Sequence, residues 1–168
     1  MTADRQRFVD IYERHHDAVL RYAWRRVGPD HAADVAAETF TVAWRRLPEV
    51  PGGAPLPWLY GVARNLIANR ARKNRRNSDP LVGLEENMHP AETDQAEAVG
   101  QRELAVAAFH NLPEQDQELV RLIAWEGLSL SEAATVLGCR TPTVTVRLHR
   151  ARRRIEKLMN SSLEEVTS

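Results

Sequence analysis

Arginines on one side of a helix, with an apolar stripe on the other, form the pattern in this sequence whose chemistry is clearest. Within residues 141–155, Val144, Leu148, Ala151 and Ile155 fall in a narrow stripe at helical spacing. Pro142, Val146, His149, Arg150 and Arg153 then fall on the opposite face, with Thr145 on its flank. Such a helix can be anchored on one side while the other presents donors to a DNA major groove. A guanidinium reaches guanine O6 and N7 with two hydrogen bonds, and valine or threonine methyls meet thymine methyls. The pattern also suits an ordinary surface helix with solvated arginines, and it is the residues before it that favour DNA. Two other clusters are weaker. Glu13, His15 and His16 are close in sequence, but adjacent histidines on a helix project in different directions, which favours a solvated surface over a metal site. Cys139 suits packing as a small hydrophobe better than a redox switch. There is no phosphate-cradling glycine loop, catalytic triad or zinc-ligand spacing, so no catalytic residue, metal ligand or cofactor is expected.

The elements that must position the last helix are legible upstream of it. Ser129-Leu-Ser-Glu132 has the spacing of a capping box, in which each end satisfies an orphan backbone N–H near the other. The helix it opens carries Ala133, Ala134 and Leu137 and stops at Gly138; Thr141 is then expected to cap the last helix, with Pro142 as its first residue. A helix, a three-residue turn containing glycine and a second helix make a helix-turn-helix pattern. Before it, a helix from about Glu97 to Asn111 is followed by one with Pro113 in its first position, ending at Gly127. The facing of Trp125 is left open, while the other three tryptophans read as core.

The first half of the chain reads as a separate helical bundle. Residues 4–27 repeat Phe8, Ile11, Tyr12, Val19, Tyr22 and Ala23 at a helical period, and Gly28-Pro29 ends that helix. Asp30 is expected to cap a second helix over 31–47, where Ala36, Phe40, Ala43 and Leu47 share a stripe with Trp44 beside it. Residues 48–57 hold four prolines and two glycines and predict a loop; a third helix then runs from Trp58 to about Arg76, with Leu59, Val62, Ala63 and Leu66 inward. Residues 77–96 are acidic, with two prolines and no period, and predict a flexible linker. The expected fold is all-α, with small helical domains at 1–76 and 97–160 and a tail at 161–168.

Composition bounds the rest. Hydrophobic residues make up 43% of the 168, enough for two modest cores. No apolar run reaches the length of a membrane span, the start lacks a signal peptide, and a lone cysteine suits a reducing compartment, so a soluble cytoplasmic protein is expected. Formal net charge is zero, but it is segregated: Arg64, Arg70, Arg72, Lys73, Arg75 and Arg76 stand without an acid among them. Arg140, Arg147, Arg150, Arg152, Arg153, Arg154 and Lys157 are opposed only by Glu156, and an acidic stretch over 79–103 separates the two blocks. Local charge, not the net, governs attraction to phosphates.

Residues 126–154, from Glu126-Gly-Leu-Ser through Arg147-Leu-His-Arg-Ala-Arg154, resemble region 4 of the extracytoplasmic-function sigma factors, preceded by a matching Leu112-Pro113-Glu114. Phe8 to Val27 resembles region 2.1, and Ala33-Asp34 through Glu38-Thr-Phe-Thr-Val-Ala-Trp44 resembles region 2.2. Trp58-Leu-Tyr-Gly-Val-Ala-Arg-Asn65 with its basic tail resembles regions 2.3 and 2.4. The resemblance implies a factor that directs RNA polymerase to promoters and is not an enzyme. It implies docking of the β′ clamp helices on the face around Asp34 and Glu38, although spacing alone reads that face as solvated, and the β flap is a further polymerase contact. It implies −10 element binding by Arg64, Asn65, Asn69, Arg70, Arg72 and Lys73, with asparagine amides reading unpaired, flipped bases. It implies −35 element binding by Arg140, Thr141, Thr143, Thr145, Val146, His149 and Arg150. An anti-sigma factor is a further partner that it allows. Two features depart from the family. Thr145 and Val146 stand where a basic residue and a serine are common, which makes base readout more apolar. The proline-rich loop at 48–57 replaces a more polar one, so the accepted −10 base is open.

Overall fold

The computed structural model describes residues 2–77 and 96–167, and within them the chain forms seven α-helices in two units, with no strand. In the first unit, α1 (Ala3–Val27), α2 (Pro29–Arg45) and α3 (Pro55–Arg76) all pack on one another. Val19, Tyr22, Ala23, Val35, Ala36, Phe40, Ala43, Leu59 and Ala63 make its core, each almost wholly removed from solvent. Most of these lie on the stripes that the helical period marks, with Val62 and Leu66 at the margin, but Phe8 is only half-buried and Tyr12 is 41% exposed. Tyr22 and Tyr60 stack at 4.7 Å between ring centroids, joining α1 to α3. Arg26 lays its guanidinium 3.5 Å from the Tyr22 centroid and donates to the Tyr22 carbonyl, which lets a charged residue sit buried. Gly28 turns the chain between α1 and α2 at a φ of 75°, where a residue with a Cβ would be strained.

Three local expectations are corrected here. Asp30 lies inside the first turn of α2 and makes no cap, because Pro29 already occupies the first turn and Gly28 the cap position. The loop read over 48–57 is shorter: Leu47–Glu49 is a 3₁₀ turn, and α3 starts at Pro55 rather than Trp58. Prolines are tolerated there because the first-turn N–H groups have no intrahelical acceptor to lose. Leu47 and Val50 are buried, and Arg7 donates to both of their carbonyls, at 3.1 and 2.5 Å, so the start of this loop is tied to α1. Arg46 and Glu49 pair across the 3₁₀ turn; the hydrogen bond from Arg46 is the first cause of the lowered pKa of the Glu49 carboxyl. Trp44 is corrected too. It is 49% exposed, packed edge-on against Phe8 at 5.2 Å, and not a core residue.

In the second unit, α4 (Ala96–His110), α5 (Glu114–Ala124) and α6 (Leu130–Leu137) each pack on α7 (Thr141–Thr167). Phe109, Leu112 and Ala151 form one buried cluster with Val120 and Ile155 against it, and Leu119, Leu122, Ala133, Val144 and Leu148 are buried as well. Pro113 is the cap residue before α5, with extended backbone, and not its first residue. Gly127, at a φ of 66°, lies beyond the end of α5 at Ala124. Trp125, left open by the sequence, is 37% exposed. The final helix continues through Thr167, past the boundary at 160 where a tail was expected. Of residues 77–96, read as a flexible linker, Asn77 caps the end of α3 and Ala96 opens α4, and the rest, 78–95, lie outside the described residues.

Candidate nucleic-acid interface

The helix-turn-helix is built as its local chemistry dictates. The Ser129 hydroxyl accepts from the Glu132 N–H at 3.1 Å and the Glu132 carboxylate accepts from the Ser129 N–H at 2.8 Å, so both bonds of the capping box form. Gly138 closes α6 in the left-handed region at a φ of 65°, and the Cys139 N–H returns to the Ala134 carbonyl. Cys139 is half-buried. Three residues, 138–140, separate α6 from α7. Thr141 is the first residue of α7 rather than its cap, and the Arg140 carbonyl accepts from the Val144 N–H. Thr145 bonds its hydroxyl to the Thr141 carbonyl at 3.0 Å, leaving its methyl as the group not engaged by that bond.

Burial divides α7 as the sequence predicts. Val144 and Ala151 are fully buried and Leu148 is 7% exposed, while Pro142, Thr143, Thr145, Val146, His149, Arg150 and Arg153 are exposed. Val146, at 49%, is an aliphatic side chain held in water on this face. A groove of about 940 Å³ runs between the first turns of α5 and α7, lined by Pro113, Glu114, Thr143, Val146 and Arg150 among others. Arg140 and Thr141, also assigned to this surface, are exposed at its leading end.

Arg147 stands apart from the other arginines of α7. Its Nη2 donates to Gln115 Oε1 at 3.0 Å and to Asp116 Oδ1 at 3.2 Å, and its Nε reaches the same Asp116 oxygen at 3.3 Å. The Arg147 and Asp116 side chains keep only 24% and 17% of their exposure. Sequence reasoning counted Arg147 among the cations for phosphate and gave it no separate role. The signal was present only as an acid on another helix 31 positions away, which no helical spacing connects.

In the first unit the residues assigned to the −10 element share α3. Asn65, Asn69, Arg72 and Lys73 are exposed and Arg64 is half-buried. Arg72 donates to the Asn69 amide oxygen at 2.5 Å, so that amide's acceptor is engaged in the free protein. Arg70 pairs with Glu38 at 3.0 Å, joining a residue assigned to DNA with one assigned to polymerase. Both partners remain substantially exposed, so the pair contributes little to stability. Asp34 is exposed on α2. Between α1 and α2, Tyr12, His16 and Phe40 cluster at centroid distances of 4.9 to 6.0 Å, and Tyr12 is 41% exposed. The neighbouring His15 has its pKa lowered, first by burial and then by Arg14. Among the described residues no group of three histidine, cysteine or carboxylate side chains is placed to hold a metal ion.

A capped helix-turn-helix in one all-helical unit and an arginine- and asparagine-bearing helix in another define a DNA-binding class of protein. Two family models match it: sigma-70 region 2 over residues 11–77 and sigma-70 region 4 over residues 102–155. The ECF RNA polymerase sigma factor SigL of Mycobacterium tuberculosis is 35% identical over 149 residues, covering 84% of this chain and 82% of that one. The RNA polymerase sigma factor YlaC of Bacillus subtilis is 28% identical over 162 residues, covering 93% and 94%. Among solved structures, the sigma factor RpoE of Bartonella quintana, in complex with the anti-sigma factor NepR, matches with a TM-score of 0.65 and 25% identity, over 91% of this chain and 96% of that one. The chain belongs to the extracytoplasmic-function (ECF) RNA polymerase sigma factors.

Proposed function

We propose that this protein is a non-catalytic initiation factor of the cytoplasm that loads core RNA polymerase onto promoters through two separate readers. Residues 97–160 take the −35 element, with Thr145, Val146, His149 and Arg150 meeting base edges and Arg140, Thr141 and Thr143 at the leading end of the helix. Residues 1–76 take the −10 element through Asn65 and Asn69, with Arg64, Arg70, Arg72 and Lys73 on the backbone. The face of Asp34 and Glu38 docks the β′ clamp helices, and the second domain meets the β flap. The observation that carries this reading is the division of α7, with Val144, Leu148 and Ala151 buried and Val146, His149 and Arg150 exposed. An exposed valine and threonine beside an arginine suit a site that combines thymine methyls with one bidentate guanine contact. Among the described residues no helix is long and apolar enough to cross a membrane. An anti-sigma factor is included as a regulatory partner because the RpoE structure that this chain resembles is such a complex.

Reconstituted run-off transcription with core polymerase on a genomic promoter pool tests the reading. Discrete transcripts that require this chain are expected, and their loss on His149→Ala with Arg150→Ala. A self-sufficient repressor that uses only its helix-turn-helix is the competing reading. It would bind DNA alone and fail to retain core polymerase in a pull-down, and that result would overturn the proposal.

A further inference from the structure

Four apolar residues anchor α7, and apolar contact is non-directional. Val144, Leu148, Ala151 and Ile155 hold the helix against its neighbours by burial, which carries no preferred direction of its own. A bidentate base contact, in contrast, tolerates little misplacement of the guanidinium. A directional bond narrows the rotation of α7 beyond what apolar packing sets, and Arg147 is placed to supply one. It projects from the flank between the buried stripe and the exposed face and ends in a three-bond fork on Gln115 and Asp116. Both acceptors lie in the first turn of α5, which α7 packs against directly. Arg147 is one turn from Thr143 and three residues from Arg150, so a rotation that breaks the fork moves the base-facing residues with it.

We infer that Arg147, held by Gln115 and Asp116, is a positioning residue that sets the rotation of α7 and thereby the base selectivity of the helix, and that it does not serve as a phosphate clamp. This rests on the −35 reading given above. Phosphates attract any free cation, but Arg147 is half-buried and already committed to a carboxylate. Displacing it would leave Asp116, itself only 17% exposed, without its partner.

The test uses the full chain bound to core polymerase and a −35 duplex selected from a randomised pool by the wild-type complex, with each single-base variant of that duplex. Two variants remove the fork in opposite electrostatic senses. Arg147→Met keeps the apolar stem and removes the cation; Gln115→Ala with Asp116→Ala keeps the cation and frees it. Both are expected to reduce discrimination between the selected duplex and its variants by roughly five- to a hundredfold, the span of one mis-set bidentate contact. Affinity for the altered duplexes should hold in the first variant and hold or rise in the second. Melting of each protein alone separates selectivity from unfolding. Retained discrimination in either variant, with the unit folded, overturns the inference. So does an equal loss on all duplexes in Arg147→Met with a salt slope shallower by about one, which marks a phosphate contact. A wild-type complex that selects no −35 sequence overturns the −35 reading, and the inference with it. That failure appears in the wild type, before any variant is compared.

Discussion

Leu148 and Arg150 lie two positions apart on α7, and their replacement by alanine should damage different properties. Leu148 is 7% exposed, so Leu148→Ala removes a side chain almost entirely withdrawn from water. A buried leucine truncated to alanine costs about 2–5 kcal/mol, the spread reflecting how far the site collapses around the cavity. The residual exposure of Leu148 and the small size of the unit place the cost toward the lower end, about 2–3 kcal/mol. A small domain holds on the order of 5 kcal/mol in all, so roughly half its stability would go. At about 4–8 °C for each kcal/mol in a domain of this size, the melting temperature should fall by roughly 10–20 °C. Arg150 is exposed, and Arg150→Ala should leave melting within about 2 °C. Its cost appears on DNA instead, about 1–3 kcal/mol confined to one position of the −35 element. Calorimetry of the full chain, with amide exchange in α5 to α7 to assign the transition, measures the first effect. Titration of the polymerase complex on matched and one-base-altered duplexes measures the second. A Leu148→Ala protein that melts with the wild type would refute the assignment of the buried face. Equal losses for Arg150→Ala on both duplexes would make Arg150 a backbone contact.

Asp34→Arg with Glu38→Arg should abolish co-purification with core polymerase while the fold survives, since the Glu38–Arg70 pair it removes is exposed; retention at wild-type yield in a pull-down would contradict the docking assignment. Gly138→Ala should destabilise the second unit by about 1–2 kcal/mol, read as a lower melting temperature. The open space around Gly138 means that the cost is purely the left-handed backbone, so Gly138→Asn should recover part of it. His15 has its pKa below 6.5 in the folded chain, first from burial and then from Arg14. The unfolded chain therefore binds the proton more readily, and stability should decline as pH falls below about 6.5. Melting at pH 7.5 and 5.5 should show a smaller difference in His15→Gln than in the wild type.

How much of this was legible in advance depends on the range of the interaction concerned. The seven helices, the capping box at Ser129 and Glu132, the left-handed Gly138 and the divided faces of α7 all follow from residues within about four positions of one another. Periodicity and capping act at that range, so the all-α class and the helix-turn-helix were determined by the sequence itself. Helix starts were misplaced where proline was read as a stop signal. Pro55 and Pro57 begin α3 instead, because a first turn has no N–H bond for them to break. Trp44 was misread for another reason: composition says that a tryptophan prefers burial, but only packing decides whether a neighbouring surface is available to cover it. The ion pairs between helices were beyond the sequence altogether. Glu38 meets Arg70 across 32 positions and Arg147 meets Asp116 across 31. Which of many acids a given arginine finds is set by how whole helices cross, and no local spacing records it. The sequence determined that α7 would offer an arginine-bearing face; only the tertiary structure decided that Arg147, beside that face, would be tied to Gln115 and Asp116 of α5.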